Sequence, residues 1–211
     1  MKEKSKAGEN FNLKKESKGK RKKAFFAKNA KYVAKNILGD FLVLKRDKHI
    51  LAGRIVEVES YLGKDDDASH SFSGKKTARN EILYQEGGII YVYLIYGLYW
   101  CFNIATSPEA HPQAVFIRAL EPVKGVEQMK KRRGKKIRNL TNGPCRWTMA
   151  FGIDKNFLGK KIYSGQIYIL EKKKKNFNIT ETSRIGIDYA QKSKNLPLRY
   201  YIEGNEFVSK R

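Results

Sequence analysis

The sequence is poor in the residues that build metal sites and cross-links. It has two cysteines, Cys101 and Cys145, and three widely spaced histidines among 211 residues. No Cys/His spacing of a zinc site occurs. Two cysteines allow one disulfide, but in a cytosolic chain a reduced pair of small buried side chains is expected. No apolar run reaches the roughly 20 residues of a membrane span. No apolar stretch follows the lysine-rich N-terminus, as a signal peptide would require. The expectation is a cytoplasmic protein, nucleoid-associated if bacterial, without a membrane role. Acidic residues are also scarce: 21 Asp and Glu face 44 Lys and Arg, a formal net charge of +23. Charge of one sign on this scale draws polyanions, either nucleic acid or an anionic membrane surface. It argues against an enzyme of small neutral metabolites.

What is present suits one folded domain. Apolar residues make up 41% of the chain and aromatics 12%, enough for a single core at this length. Residues 1–23 are the exception. They carry ten Lys or Arg against three Glu and almost nothing apolar, so they are expected to form a disordered basic tail ahead of a domain at 24–211.

Within that domain, Phe25 to Leu38 shows helical spacing, and Gly39 stops it. Phe41–Leu44 and Ile50–Tyr61 read as strands around a turn at Asp47–His49. Residues 62–80 read as a long polar loop, a length that is usually functional. Ile89–Ile95 and Tyr99–Thr106 form a hairpin whose tip is Tyr96-Gly97-Leu98. Ala114–Leu120 is a further strand, Pro122 to about Lys131 reads as a helix, and Lys130–Arg138 as a basic loop. Asn142-Gly143-Pro144 opens a helix that ends near Gly152. Short β-like runs follow from Ile167, including Leu198–Glu203. The fold class is α+β: a single compact domain with a curved, mostly antiparallel sheet, packed helices and a protruding β-hairpin.

Three features carry chemistry. Alternation along a strand puts Glu57, Glu59 and Tyr61 on one face, a pattern that an exposed antiparallel strand would also show. Tyr91 to Trp100 holds five aromatics in ten residues. At a hairpin tip Tyr96 and Leu98 should be exposed, as side chains that wedge between bases are. Arg118 lies inside the apolar run Phe116–Leu120 and needs a partner if buried. Asn103 raises the same question, and from the residues alone a satisfied buried amide is the better answer.

In order along the chain stand Arg54-Ile-Val-Glu-Val-Glu59-Ser-Tyr61-Leu-Gly63, Ala68-Ser-His70-Ser, Thr77-Ala-Arg79-Asn80, Tyr91-Val-Tyr93-Leu-Ile-Tyr96-Gly97, Asn103-Ile104, Arg118-Ala-Leu-Glu-Pro122 and Asn142-Gly-Pro144. Each is short, but their joint order resembles the alkyladenine (3-methyladenine) DNA glycosylase family from about Phe25 onward. The resemblance implies a monofunctional base-excision-repair enzyme, a monomer without cofactor or metal. Such an enzyme flips damaged purines (3-methyladenine, 7-methylguanine, hypoxanthine or ethenoadenine) out of double-stranded DNA and leaves an abasic site. It implies Glu59 as general base for the attacking water, with Arg118 holding that water. It places Tyr61, His70, Tyr93 and Asn103 around the base, Asn103 disfavouring the amine of guanine. Tyr96 would intercalate, with Leu98 beside it, and a backbone group near Ile185–Ile187 would complete the water site. Leu98 stands where some relatives carry methionine, Ser60 where they carry alanine, and Ser71-Phe72-Ser73 replaces a more basic, glycine-rich stretch. Composition alone also fits a non-catalytic basic nucleic-acid-binding protein, and the fold could serve a glycosidase-like enzyme of other substrate. Glu59, Arg118 and the aromatic set argue against a purely electrostatic binder.

Overall fold

The chain forms nine strands, most of them from its apolar runs, among the described residues of a computed structural model, which covers residues 12–46, 48–134 and 136–210. Short pieces come first: α1 (Leu13–Glu16), β1 (Ser17–Lys20) and α2 (Lys23–Phe26). Then come α3 (Ala30–Ile37), β2 (Phe41–Arg46) and the long β3 (His49–Tyr61). After three 3₁₀ turns, β4 (Ile90–Ile95), β5 (Tyr99–Thr106) and β6 (Gln113–Lys124) follow. Helices α4 (Val126–Arg133) and α5 (Pro144–Phe151) precede β7 (Ile167–Lys172), β8 (Ile179–Thr182) and β9 (Arg199–Ile202). All strand pairs are antiparallel, in the order β1-β7-β2-β3-β6-β5-β4, with β9 added to β3 and β8 to β9. The result is the expected single α+β domain around an open antiparallel sheet.

One main core fills the space between this sheet and the helices. It is built from Val33 and Ile37 of α3, Val56 and Val58 of β3, Ile117 of β6, and Trp147 and Phe151 of α5. Trp147 is fully buried and donates its indole N–H to the Ile117 carbonyl at 2.9 Å, so its polar atom is satisfied as it packs. Helix α5 opens with proline in its first turn and closes on Gly152 at φ 69°, the left-handed cap that glycine adopts freely. None of the described helices is long and apolar enough to cross a membrane.

Several element boundaries differ from expectation. The helix expected from Phe25 is interrupted at residues 27–29, because the Asn29 side chain caps α3 by accepting from Tyr32 N–H at 2.9 Å. The helix expected from Pro122 to about Lys131 starts only at Val126, because β6 runs on to Lys124. Its register slips between Ala52↔Lys124 and Gly53↔Pro122, and a bulge is where a sheet tolerates proline. Lys130–Arg133, expected in a loop, form the last turn of α4, where cations suit the helix dipole. Of the expected tail, residues 1–11 lie outside the described residues. Residues 17–20, however, form β1 and pair with β7, because the edge of β7 offers backbone partners even to a polar segment.

Candidate active site

Two bulges in the β3–β6 pair build the charged floor of the site. Ile55 pairs with Leu120 and Glu57 with Ala119, which leaves Val56 as an extra residue on β3. Glu57 pairs with Ala119 and Val58 with Ile117, which leaves Arg118 as an extra residue on β6. A bulged residue leaves the ladder and is re-aimed. Here the re-aimed side chain is Arg118, which reaches Glu57 Oε1 through Nε at 3.1 Å and Glu59 Oε1 through a terminal nitrogen at 3.1 Å. The exposed-strand reading of this segment is overturned: both glutamates are fully buried.

The two acids have different company. Glu57 is enclosed by protein: Arg199 donates to Oε1 at 2.8 Å, the Ser209 hydroxyl to Oε1 at 2.9 Å, and the Ser209 N–H to Oε2 at 2.6 Å. Glu59 faces the functional side. Its Oε1 also accepts the Ile185 N–H at 2.8 Å, and its Oε2 accepts the Tyr61 hydroxyl at 2.9 Å. Burial disfavours the Arg118 charge, but Glu59 and Glu57 outweigh it and raise its pKa. Burial, followed by the Glu59 charge, pushes the Tyr61 hydroxyl well above the usual tyrosine range. It remains a proton donor.

A cavity of about 560 Å³ opens in front of this floor. Its walls include Tyr61, His70, Tyr93, Asn103, Arg118 and Tyr96. Six of the eight residues singled out in the sequence therefore converge here from β3, the 62–80 loop, β4, β5 and β6. Glu59 stands one step behind the wall, bonded to Tyr61, Arg118 and Ile185, which do line it. The 4.8 Å ring separation of His70 and Tyr93 and the 5.3 Å of Tyr91 and Tyr93 make one aromatic wall. His70 Nδ1 shares a hydrogen bond with the Tyr91 hydroxyl at 2.9 Å. Desolvation by this company, then the Arg79 charge, presses the imidazole down to about 4. Asn103 is buried and donates to the Tyr91 carbonyl at 3.3 Å.

Beside the cavity, the β4–β5 hairpin ends in Tyr96 at φ 52° and Gly97 at φ 66°. Positive φ at both central turn residues matches the twist of paired strands. Glycine accepts it, but a bulky side chain does so at a cost of order 1–3 kcal/mol. Tyr96 and Leu98 are 87% and 72% exposed. Leu98 is not among the residues that line the cavity.

Sequence reading did not single out Arg184, Asp66, Arg199 or Tyr91 as parts of the site. Arg199 opens the apolar strand β9 and Arg184 stands in a short polar stretch before Ile185, and in both the local signal is only a charge beside apolar residues. The thiols are free, Cys101 buried and Cys145 half-buried. They hydrogen-bond to each other, which raises the Cys101 pKa and lowers that of Cys145. Among the described residues no cluster of His, Cys, Asp and Glu is placed to hold a metal ion.

Comparison with known proteins accords with this geometry. A family model described as "Methylpurine-DNA glycosylase (MPG)" matches residues 24–206. A protein of Clostridium beijerinckii named "Putative 3-methyladenine DNA glycosylase" is 43% identical over 199 residues, covering 90% of this chain and 98% of that one. Proteins of the same name from Clostridium botulinum (46% identical, 89% and 97% covered) and Desulfitobacterium hafniense (39%, 88% and 96%) are similar over the same span. The chain belongs to the methylpurine-DNA glycosylase family.

Proposed function

We propose that this protein is a monofunctional DNA glycosylase of base-excision repair, which rotates a damaged purine out of the duplex and hydrolyses its N-glycosidic bond. The observation that carries this reading is Glu59. It is a fully buried carboxylate behind an aromatic cavity, aimed by Arg118, the Ile185 N–H and Tyr61.

Cleavage of such a bond passes through an oxocarbenium-like sugar, which a nearby carboxylate stabilises and to which an activated water adds. Glu59 is the general base, and general-base catalysis contributes about 10²–10⁴-fold. In the free protein Oε2 holds the Tyr61 hydroxyl, so that bond is exchanged for one to water when a nucleotide enters. Arg118 keeps Oε1 in place and holds the water. Tyr61, His70 and Tyr93 supply faces for the extruded base, and the buried Asn103 amide disfavours the extra amine of guanine.

Flipping costs a few kcal/mol, less for a damaged base. Tyr96 fills the vacated stack, with Leu98 beside it. No lysine is among the described residues that line the cavity, which supports attack by water and an intact abasic site rather than an amine nucleophile and strand cleavage. The alkylated purine in the relatives' name, 3-methyladenine, is the first substrate to try.

The test is to incubate the protein with methylated DNA and with duplexes carrying hypoxanthine or ethenoadenine, and to score free base and alkali-labile sites. Glu59→Gln should lose about 10²–10⁴-fold in base release while still binding an abasic-site duplex. Release at the wild-type rate by that variant would remove Glu59 from the mechanism.

A further inference from the structure

The Ile185 N–H that donates to Glu59 belongs to neither a helix nor a strand. It lies in an irregular segment between β8 and β9, so no ladder fixes it. The same segment supplies Ile185, Gly186, Ile187 and Tyr189 to the cavity wall. Something else must hold it against the floor.

Two acids of the loop after β3 do so. The Arg184 guanidinium is completely buried and grips Asp66 with both terminal nitrogens, at 2.6 and 2.7 Å. It also donates to the Ser60 carbonyl at 3.1 Å, lies 4.6 Å from the Tyr61 ring centroid, and donates to Ser193 Oγ at 3.1 Å. Asp66 in turn accepts the Leu62 and Ala68 N–H groups at 2.9 and 3.1 Å. Its neighbour Asp67 accepts N–H groups of Gln191, Lys192 and Ser193 at 2.7, 2.8 and 3.0 Å. The arch from 184 to 193 is thus pinned at both ends, and the cavity wall lies between the pins.

We infer that Asp66 and Arg184 are positioning residues for Glu59: their ion pair holds the Ile185 N–H on the carboxylate and so sets the rate of base release rather than the affinity for DNA. The inference rests on the reading of Glu59 as the base. Its physical grounds are local. Arg184 touches the backbone of Ser60, directly after Glu59, and the ring of Tyr61, and it immediately precedes Ile185 in the chain. A bidentate arginine–carboxylate pair fixes direction as well as distance. A buried ion pair is a poor source of net stability compared with apolar packing, so a geometric role explains it better. Displacement of a reacting group by about 1 Å can cost roughly 10²-fold in rate.

The experiment has two readouts. The first is amide hydrogen exchange at Ile185 in the full chain without DNA. It should be protected in the wild type and at least about tenfold faster in Arg184→Lys, which keeps the charge but loses the two-pronged grip. The second is single-turnover base release and affinity for an abasic-site duplex. Arg184→Lys should release base about 10–100-fold more slowly with affinity within about twofold, since roughly 10² is the cost of such a misplacement. Ser193→Ala, which removes one acceptor of Arg184 and the hydroxyl that donates to Asp67 but leaves the Arg184–Asp66 pair, serves if the lysine variant does not fold, and should change both readouts in the same direction by a smaller factor. Unchanged Ile185 exchange, unchanged release, or equal losses of release and affinity would each overturn the positioning role. Absence of base release by the wild type would instead overturn the glycosylase reading, and the exchange measurement would still decide whether the pair holds Ile185.

Discussion

Glu57 and Glu59 lie two residues apart at full burial, and all four of their oxygens accept hydrogen bonds or ion pairs from the protein. Tyr96 and Leu98 stand at a hairpin tip with most of their surface in water and a backbone that strains the tyrosine. The floor is determined by the fold and changes little without breaking it. The tip is nearly free of the fold, so it can be shaped for what it meets. On the proposed reading, chemistry that needs sub-ångström placement sits on paired strands, and recognition that needs reach sits on a turn.

This contrast can be broken from either side. Glu57→Ala leaves Arg118 and Arg199 as buried cations without their shared acceptor and should destabilise the fold by about 3–5 kcal/mol, read by urea unfolding. A loss below about 1 kcal/mol would mean that the cluster is not what holds the floor. Tyr96→Asn should do the reverse. Asparagine tolerates positive φ, so the urea midpoint should hold or rise. Affinity for an abasic-site duplex should fall by about 1–3 kcal/mol, the worth of an aromatic stack. Unchanged affinity would make Tyr96 a bystander. Leu98→Ala should weaken the same binding by about 1 kcal/mol, the scale of a few buried methylene groups, without altering base release from bound DNA.

The smallest effect concerns His70, which belongs to the wall between the two regions. Its folded pKa of about 4 lies below the ordinary 6.5. The native state therefore binds fewer protons than the unfolded chain between these values. This group costs no stability above pH 6.5 and subtracts from it as pH falls towards 4. An NMR titration of its ring should show a midpoint below 5, and a midpoint near 6.5 would mean that the aromatic wall does not desolvate it.

Much of this was legible in the sequence. The hairpin tip, the strand that carries Glu59 and the proline-opened α5 follow from local patterns, because turn chemistry and period-2 alternation act over a few residues. The basic charge announced a polyanionic partner for the same reason: it is a sum over residues. The roles of Glu57 and Arg184 were not legible. Glu57 shows the same alternation as Glu59, and only the arrival of Arg199 and Ser209 from the end of the chain makes it structural. Arg184 lies 118 residues from Asp66 in sequence, and no local pattern foretells that pairing. β1 escaped notice because its polar residues gain a strand only from the edge of β7.

The amino-acid sequence by itself determined most of the element types, the exposed tyrosine at the hairpin tip and the family to which the chain belongs, because propensity, periodicity and motif order are written along the chain. The tertiary structure decided which of two neighbouring glutamates stands directly behind the cavity wall, bonded to Tyr61, Arg118 and Ile185. Two bulges, one on each of β3 and β6, turn Arg118 onto both acids, and the pinned arch at 184–193 gives Glu59 alone its second N–H donor. Register and long-range pairing depend on partners that the local sequence does not contain.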